Sequence, residues 1–239
     1  MVWVFYAVVI GFLLSQVASL ATTVYLHRAS THQSVIFHPA VEFFFQLNLW
    51  ITTGIKRVEW VAIHLYHHLH SDVEGDPHSP LVFGFWKVQL WNVVLYRRVA
   101  KDLKVLQYGK HLKLSWAERY IFKYSILGPV IGIGIACLIF GWKIGLLLSA
   151  THAFLYLFFL NNLVNGLCHW SGYKNFPEAH AYNNKWVAWI TAGEGNHNNH
   201  HARPDFARLA VEPSEPDFGW ILIAILKSLR LAKVKWAPE

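Results

Sequence analysis

The sequence predicts an all-α integral membrane protein, a bundle of membrane-spanning helices with a helical cap on one side. Two observations predict this class. The 239 residues are 54% hydrophobic, 16% aromatic and only 15% charged, and the mean hydropathy is +0.29, whereas soluble domains are usually less apolar and more charged. In addition, nine of the 15 histidines form four tight clusters between the apolar segments. Such a grouping predicts a metal site at one face of the bundle.

Three apolar segments are long enough to cross a bilayer, which takes about 20 helical residues. They cover roughly 2–22, 120–140 and 142–164. The first is predicted to be a retained span and not a signal peptide, because it has no basic start and no convincing cleavage site. The other two are separated by little more than Gly141 and Trp142, which predicts a tight helical hairpin.

Shorter apolar segments are predicted to lie at the membrane surface. Residues 41–55 are too few to cross the bilayer twice, yet histidine clusters on both sides of them should meet. This segment is therefore expected to lie in the interface or to dip in and return. Residues 81–96 and 217–231 are predicted to form amphipathic surface helices. The whole chain, residues 1–239, is predicted to be one domain.

The formal net charge of +7 does not indicate a nucleic-acid partner, because the basic residues lie between apolar segments. Most of them follow the first span, so the positive-inside rule predicts that this segment is cytoplasmic and the N-terminus outside. Three spans then place residues after 165 in the cytoplasm as well. All four histidine clusters fall on that side. The basic run over 97–119 indicates either a loop over anionic lipid or a docking patch for an acidic electron-transfer partner or an anionic head group.

The two cysteines, Cys137 and Cys168, lie in apolar runs and predict buried free thiols without a disulfide framework. Cys168 adjoins His169, but its surroundings favour packing over metal contact.

The histidine spacing predicts more than one metal ion. A single ion rarely takes more than about six ligands, so nine converging imidazoles imply two ions. Triplets with i, i+3, i+4 spacing share one helix face, whereas a pair five apart serves different metals or straddles a helix end. The clusters are His27 and His32; His64, His67 and His68; Asn165 and His169; and His197, His200 and His201.

The chemistry of this ligand set favours iron. A closed zinc site takes four ligands, and a hydrolytic zinc pair would need a carboxylate base, which the motifs do not obviously contain. Iron activates dioxygen, and acidic residues beside the clusters are expected to orient the imidazoles. These acids are Asp72, Glu74, Asp76 and Glu194.

The motifs in combination resemble the membrane fatty acid desaturases, with the closest similarity to the acyl-CoA and bacterial Δ9-type branch. They are HRxxxH from His27, Trp-x3-HxxHH from Trp60 followed by SDxxGDPHSP from Ser71, NxxxH from Asn165, and GEGxHNNHH from Gly193. The resemblance covers about residues 20–210.

The resemblance implies a four-span helical fold with a cytoplasmic cap that carries a non-haem di-iron site. It also implies O2-dependent insertion of a cis double bond into a fatty acyl chain, presented as an acyl-CoA or an acyl-lipid. In this family the nine matching histidines ligate iron, and the matching asparagine, Asn165, reaches one iron through water. The expected cofactors are two iron ions, with O2 as co-substrate.

Several features depart from the family pattern. Family members usually have one more span before the first histidine cluster. The second cluster commonly contains charged residues, some near an acyl-CoA head group, which puts an acyl-CoA substrate in doubt; the positions concerned hold Ala62, Ile63, Leu65 and Tyr66. Asn196 replaces a usual aromatic residue.

No fused cytochrome b5 motif is recognisable, since His38-Pro39 alone is too weak a signal. Electrons are therefore expected from a separate ferredoxin- or cytochrome b5-type donor. A di-iron lipid hydroxylase or oxidase remains an alternative to a desaturase. A haem-binding electron carrier is disfavoured because His152 is the only histidine clearly inside a span, and a metal transporter because the spans hold almost no ionisable residues.

Overall fold

The computed structural model describes residues 2–236 and is almost entirely helical. The described residues form twelve α-helices, and short π-helical segments continue two of them. The α-helices are α1 (Val2–Ala21), α2 (Pro39–Thr53), α3 (Arg57–Leu69), α4 (Pro80–Phe83), α5 (Phe85–Val99), α6 (Leu103–Leu106), α7 (Leu127–Phe140), α8 (Trp142–Phe154), α9 (Asn161–Asn165), α10 (Lys185–Ile190), α11 (His197–Ala202) and α12 (Phe218–Ser228). Strands β1 (Val35–Phe37) and β2 (Ala232–Val234) pair in antiparallel fashion.

Two helical segments among the described residues are long and apolar enough to cross a membrane, Val2–Thr31 and Trp142–His169. Both are longer than predicted, because π-helical turns continue α1 through Thr22–Thr31 and α8 through Leu155–Leu160. The two segments run parallel. Ser15 Oγ lies 3.3 Å from His152 Nδ1, and further along both segments Thr22 Oγ1 lies 2.7 Å from Tyr156 Oη. Both segments therefore end at the same side of the bundle.

The prediction of one continuous helix over 120–140 is wrong. A short π-helix ends at Phe122, and α7 begins at Leu127 and has 14 residues. The break accommodates the end of α2, because Trp50 Nε1 donates to the carbonyl of Tyr124 at 3.0 Å. The predicted hairpin is present, since α7 and α8 are joined at Gly141 and pack closely.

Helix α2 occupies the short apolar segment predicted to lie in the interface or to dip in and return. The imidazole of His38 caps its start, with Pro39 in the first turn. Gly54, with φ of 67°, ends it, and the Gly54 amide donates to two carbonyls of the last turn. The helix packs against α1 and α7. Its last turn lies beside the last turn of α8, where His152 Nε2 is 2.9 Å from the carbonyl oxygen of Thr52.

The predicted surface helix over 81–96 is divided into α4 and α5 at Gly84, whose φ is 89°. Several of its apolar side chains are exposed, among them Trp86 and Trp91, whereas Val88 and Leu95 are buried. The predicted C-terminal helix is α12, with Asp217 accepting from the Trp220 amide at its start.

Candidate metal centre

Histidines from all four clusters meet at the ends of the two long segments, in two groups. In each group, the possible ligand atoms lie within 4.8 Å of one another. One group holds five imidazoles and the other four. The five-histidine group is His27, His32, His64, His68 and His200; the four-histidine group is His67, His169, His197 and His201.

Each histidine triplet is divided between the two groups. Each triplet lies on one helix, α3 or α11, as its spacing predicts. In α3, His64 and His68 belong to the five-histidine group and His67 to the other. In α11, His200 belongs to the five-histidine group, and its two neighbours to the four-histidine group. Each triplet therefore bridges both groups.

The π-helix explains how residues five apart share one group. His32 N donates to the carbonyl of His27 at 3.1 Å, an i→i+5 hydrogen bond. A π-helical turn places residues five apart above one another, so both imidazoles enter the five-histidine group. Of the two alternatives predicted for this pair, the structure agrees with the one in which it straddles a helix end, because the π-helix ends at Thr31 and His32 is the next residue.

The nitrogen spacing fits a metal ion. In the five-histidine group, Nε2 of His200 lies 3.0 Å from Nε2 of His27 and 2.9 Å from Nε2 of His68. In the four-histidine group, Nε2 of His197 lies 3.0 Å from Nε2 of His169. Imidazole nitrogens about 2.1 Å from one ion and at right angles to each other are about 3 Å apart, so both groups match the edges of a coordination polyhedron.

The protonation state of these imidazoles is also the one that metal binding requires. Burial and the neighbouring imidazoles hold the pKa of His64, His68, His200 and His201 well below the usual range. The same two causes lower the pKa of His32 and His197. The rings are therefore neutral at physiological pH, which is the form that binds a metal ion.

Three of the four acids expected to orient the imidazoles contact them. Asp72 Oδ2 lies 2.8 Å from His169 Nδ1, Asp76 Oδ2 lies 3.0 Å from His67 Nδ1, and Glu194 Oε1 lies 2.8 Å from His27 Nδ1. Such contacts fix the tautomer that leaves Nε2 free for a metal. The fourth, Glu74, is exposed.

The carboxylates are ionised in these contacts. Burial raises the pKa of Asp76, but its hydrogen bond and charge interaction with His67 outweigh burial, and the net pKa is lowered. The pKa of Glu194 is lowered in the same way, with His27, Arg28 and Thr23 outweighing burial. Thr23 donates a hydrogen bond to Glu194 Oε1.

The remaining predicted positions have different places in the fold. Asn165 ends α9 and lines the cavity described below, together with His197. Cys168 is fully buried and packs with Val164 and Val187, as expected of a packing residue. Cys137 is partly exposed instead of buried.

Several supporting residues were not predicted. The Arg28 guanidinium forms a fully buried ion pair with Asp217 at 2.8 Å and donates to the Ala207 carbonyl. His78 stacks on His67 with ring centroids 4.6 Å apart. The two asparagines inside the last histidine cluster bind backbone: Asn198 donates to the carbonyls of Phe176 and Ala181. The sequence could have pointed to Arg28, His78 and the two asparagines, because all four lie inside the histidine motifs without being needed as ligands.

The residues that depart from the family pattern, Asn196 and two positions of the second cluster, are buried in the structure. The Asn196 side chain is buried and donates to the carbonyl of Pro216 at 2.9 Å. Ala62 and Ile63 are buried, and Ile63 lines the cavity.

A cavity of about 690 Å³ reaches from the histidine groups into the bundle. At one end it is lined by His27, His64 and His197. At the other it is lined by apolar side chains of α7, among them Pro129 and Ile133. Its size is typical of cavities that enclose a small organic ligand.

The fold and site together define an apolar helical protein with membrane-spanning segments and two histidine groups beside a cavity. Comparison with known proteins gives the family. The fatty acid desaturase family model matches residues 1–210, and the chain belongs to that family. It is an oxidoreductase of the desaturase class.

Three characterised relatives illustrate the similarity. The sn-1 stearoyl-lipid 9-desaturase of Anabaena variabilis is 30% identical over 222 residues, 92% of this chain and 80% of the relative. The Icosanoyl-CoA 5-desaturase of Limnanthes douglasii is 32% identical, over 93% of this chain and 63% of the relative. The Delta-9 acyl-lipid desaturase 1 of Arabidopsis thaliana is 28% identical, over 90% of this chain and 70% of the relative.

Proposed function

We propose that this chain is an O2-dependent fatty acyl desaturase that introduces a cis double bond at a di-iron centre held by its nine clustered histidines. The observation that carries the proposal is the position of histidines from both groups at one end of a partly apolar cavity. An acyl chain in that cavity would have its methylenes beside both groups.

Each residue has a defined part in the proposal. The five- and four-histidine groups would each hold one iron ion, and Asn165 would contact the second through water. Asp72, Asp76 and Glu194 keep three imidazoles in the tautomer that presents Nε2. When bound, the two ions would supply the oxidising power, with O2 as oxidant and two electrons from an external donor.

The reaction balances without any other co-reactant. A saturated –CH2–CH2– unit, O2, two electrons and two protons give –CH=CH– and two molecules of water. The protein orients the substrate and excludes water. The apolar walls of the cavity would hold the acyl chain in place and keep water away from the reacting carbons. Pro129, Val130, Ile133 and Leu157 belong to those walls.

The membrane arrangement follows from charge and helix direction. The parallel segments Val2–Thr31 and Trp142–His169 would deliver both histidine groups to one membrane face. The basic residues of 97–119 follow the first of them, which supports the cytoplasmic face for the groups and an N-terminus outside. A soluble ferredoxin- or cytochrome b5-type donor would reach the groups from that side.

The test is expression in membranes together with a reductase and an electron donor, supply of saturated acyl substrates, and mass spectrometry of the lipids. New cis-monounsaturated chains that require the histidines support the proposal. Hydroxylated chains would support a hydroxylase at the same groups instead. The matched control is a His201→Ala variant, which should form neither product.

A further inference from the structure

Apart from two histidines, His78 and His197, three polar side chains that line the cavity have buried atoms without a hydrogen-bond partner among residues 2–236. These atoms are Asn92 Oδ1, Tyr96 Oη and Asn162 Oδ1. Asn92 is 7% exposed, and Asn162 is fully buried. Buried polar atoms are nearly always hydrogen-bonded, because leaving one unpaired is costly. Three such atoms around one cavity point to a polar group of its ligand.

The three side chains come from two helices that face each other. Asn162 Nδ2 donates to the carbonyl of Gln89 in α5 at 2.7 Å and to that of Phe158 at 3.1 Å. These two bonds fix the amide so that its oxygen is the free atom. Asn92 lies one turn beyond Gln89 in α5, and Tyr96 one turn further, so all three surround the same part of the cavity.

This part of the cavity is next to the histidine groups. Asn162 and Asn165 are three apart in α9 and so share a helix face, and His197 lines the same cavity. The ligand's polar group would therefore lie close to the carbons that react, and not at a distant head group.

We infer that Asn92, Tyr96 and Asn162 form a subsite for a hydrogen-bond donor carried by the substrate chain, within the cavity and close to the reacting carbons. This inference rests on the proposed function for the identity of the ligand as an acyl chain. The Asn162 oxygen can only accept, so the matching group must carry N–H or O–H. A hydroxyl on the chain and an amide N–H within it share this chemistry.

Equilibrium binding to the purified full-length protein tests the inference without turnover. The probes are octadecanoic acid, a series of hydroxyoctadecanoic acids that differ in the carbon carrying the hydroxyl, the matching keto acids, and chains of equal length with one internal amide. We expect one hydroxy acid or internal amide to bind about tenfold more tightly than octadecanoic acid. Which of the two wins identifies the source of the donor.

Variants assign the preference to the subsite. Tyr96→Phe and Asn92→Leu should each reduce the preference to about twofold or less while octadecanoic acid binds as before. Asn162→Leu also removes two backbone contacts, so the other two variants decide the outcome. Asn48 is the control, because its Oδ1 is also buried and unpaired but does not line the cavity; Asn48→Leu should keep the preference.

The inference is overturned if octadecanoic acid binds as tightly as every hydroxy acid and internal amide, which would mean that water satisfies the three atoms. It is also overturned if the preference survives in both Tyr96→Phe and Asn92→Leu. Desaturation of plain saturated chains with no preference in binding would leave the proposed function standing and remove this inference alone.

Discussion

Nε2 of His27 lies 3.0 Å from Nε2 of His200, although 173 residues separate them in the chain. Two lone pairs at this distance repel unless a proton or a metal ion lies between them. His68 also approaches His200, at 2.9 Å, so one proton cannot satisfy all the contacts. A ligand bound between these nitrogens would therefore link the first histidine cluster to the last.

Removing one histidine from each group should reduce bound metal by about half in each case, since each group is expected to hold its own ion. His200→Ala tests the five-histidine group and His201→Ala the four-histidine group. Iron content per purified chain is the measurement. His180→Ala, at an exposed histidine, is the control and should bind as much iron as the unchanged protein. Full iron content in both site variants would contradict the metal assignment.

Asp76→Asn should weaken metal binding by about 10- to 100-fold, the usual effect of losing a carboxylate that orients a ligating histidine. Asp76 lies 3.0 Å from His67 Nδ1 and also accepts from the amides of Asp72 and His78. Competition with a chelator measures the affinity. Glu74→Gln changes an exposed acid of the same loop and should leave the affinity unchanged.

How far the sequence could predict this site depends on what each residue does. The nine histidines and three acids were recognisable because their spacing follows helix periodicity and motif. Their division into five and four was not, because it depends on the π-helical turn before His32 and on the crossing of α3 and α11. Arg28 and Asp217 escaped prediction for a related reason: an ion pair between distant segments leaves no local pattern.

Asp217→Asn should destabilise the protein by about 3–5 kcal/mol, because it leaves the Arg28 charge buried without its partner. The two side chains are 1% and 3% exposed. Thermal unfolding in detergent measures the change. Glu59→Gln is the comparison, since the Lys56–Glu59 pair is 41% and 28% exposed and should contribute about 1 kcal/mol or less. Equal losses in both variants would show that burial does not set the energy of these pairs.

Gly128→Ala should separate α2 from α7 and cost about 1–3 kcal/mol of stability. A Cβ at Gly128 would lie 2.0 Å from the Trp50 carbonyl oxygen, whereas one at Gly134 would meet nothing within 4 Å. Gly134→Ala in the same helix is therefore the matched control and should be neutral or slightly stabilising. Unfolding curves of the two variants measure the difference in stability. A Gly128→Ala variant as stable as the unchanged protein would mean that α2 and α7 are not in contact there.

The metal-free protein should lose stability as the pH falls below about 6.5. Burial and the neighbouring His67 lower the pKa of His78 to about 3. The folded pKa lies below the unfolded pKa, so between these values the unfolded state binds more protons and stability rises with pH. Unfolding measured across this window should show that slope, and His78→Leu should reduce it. An unchanged slope in the variant would assign the effect to the other buried imidazoles.

The division of each triplet between two groups has a consequence for biogenesis. Both groups need imidazoles from α3 and from α11, which is synthesised much later, and strand β2 follows later still and holds β1 behind His32. While the ribosome is still making the chain, the nascent protein offers only incomplete ligand sets. On the proposed function, metal acquisition would therefore be a late step of maturation, and a cell starved of iron would accumulate unloaded protein.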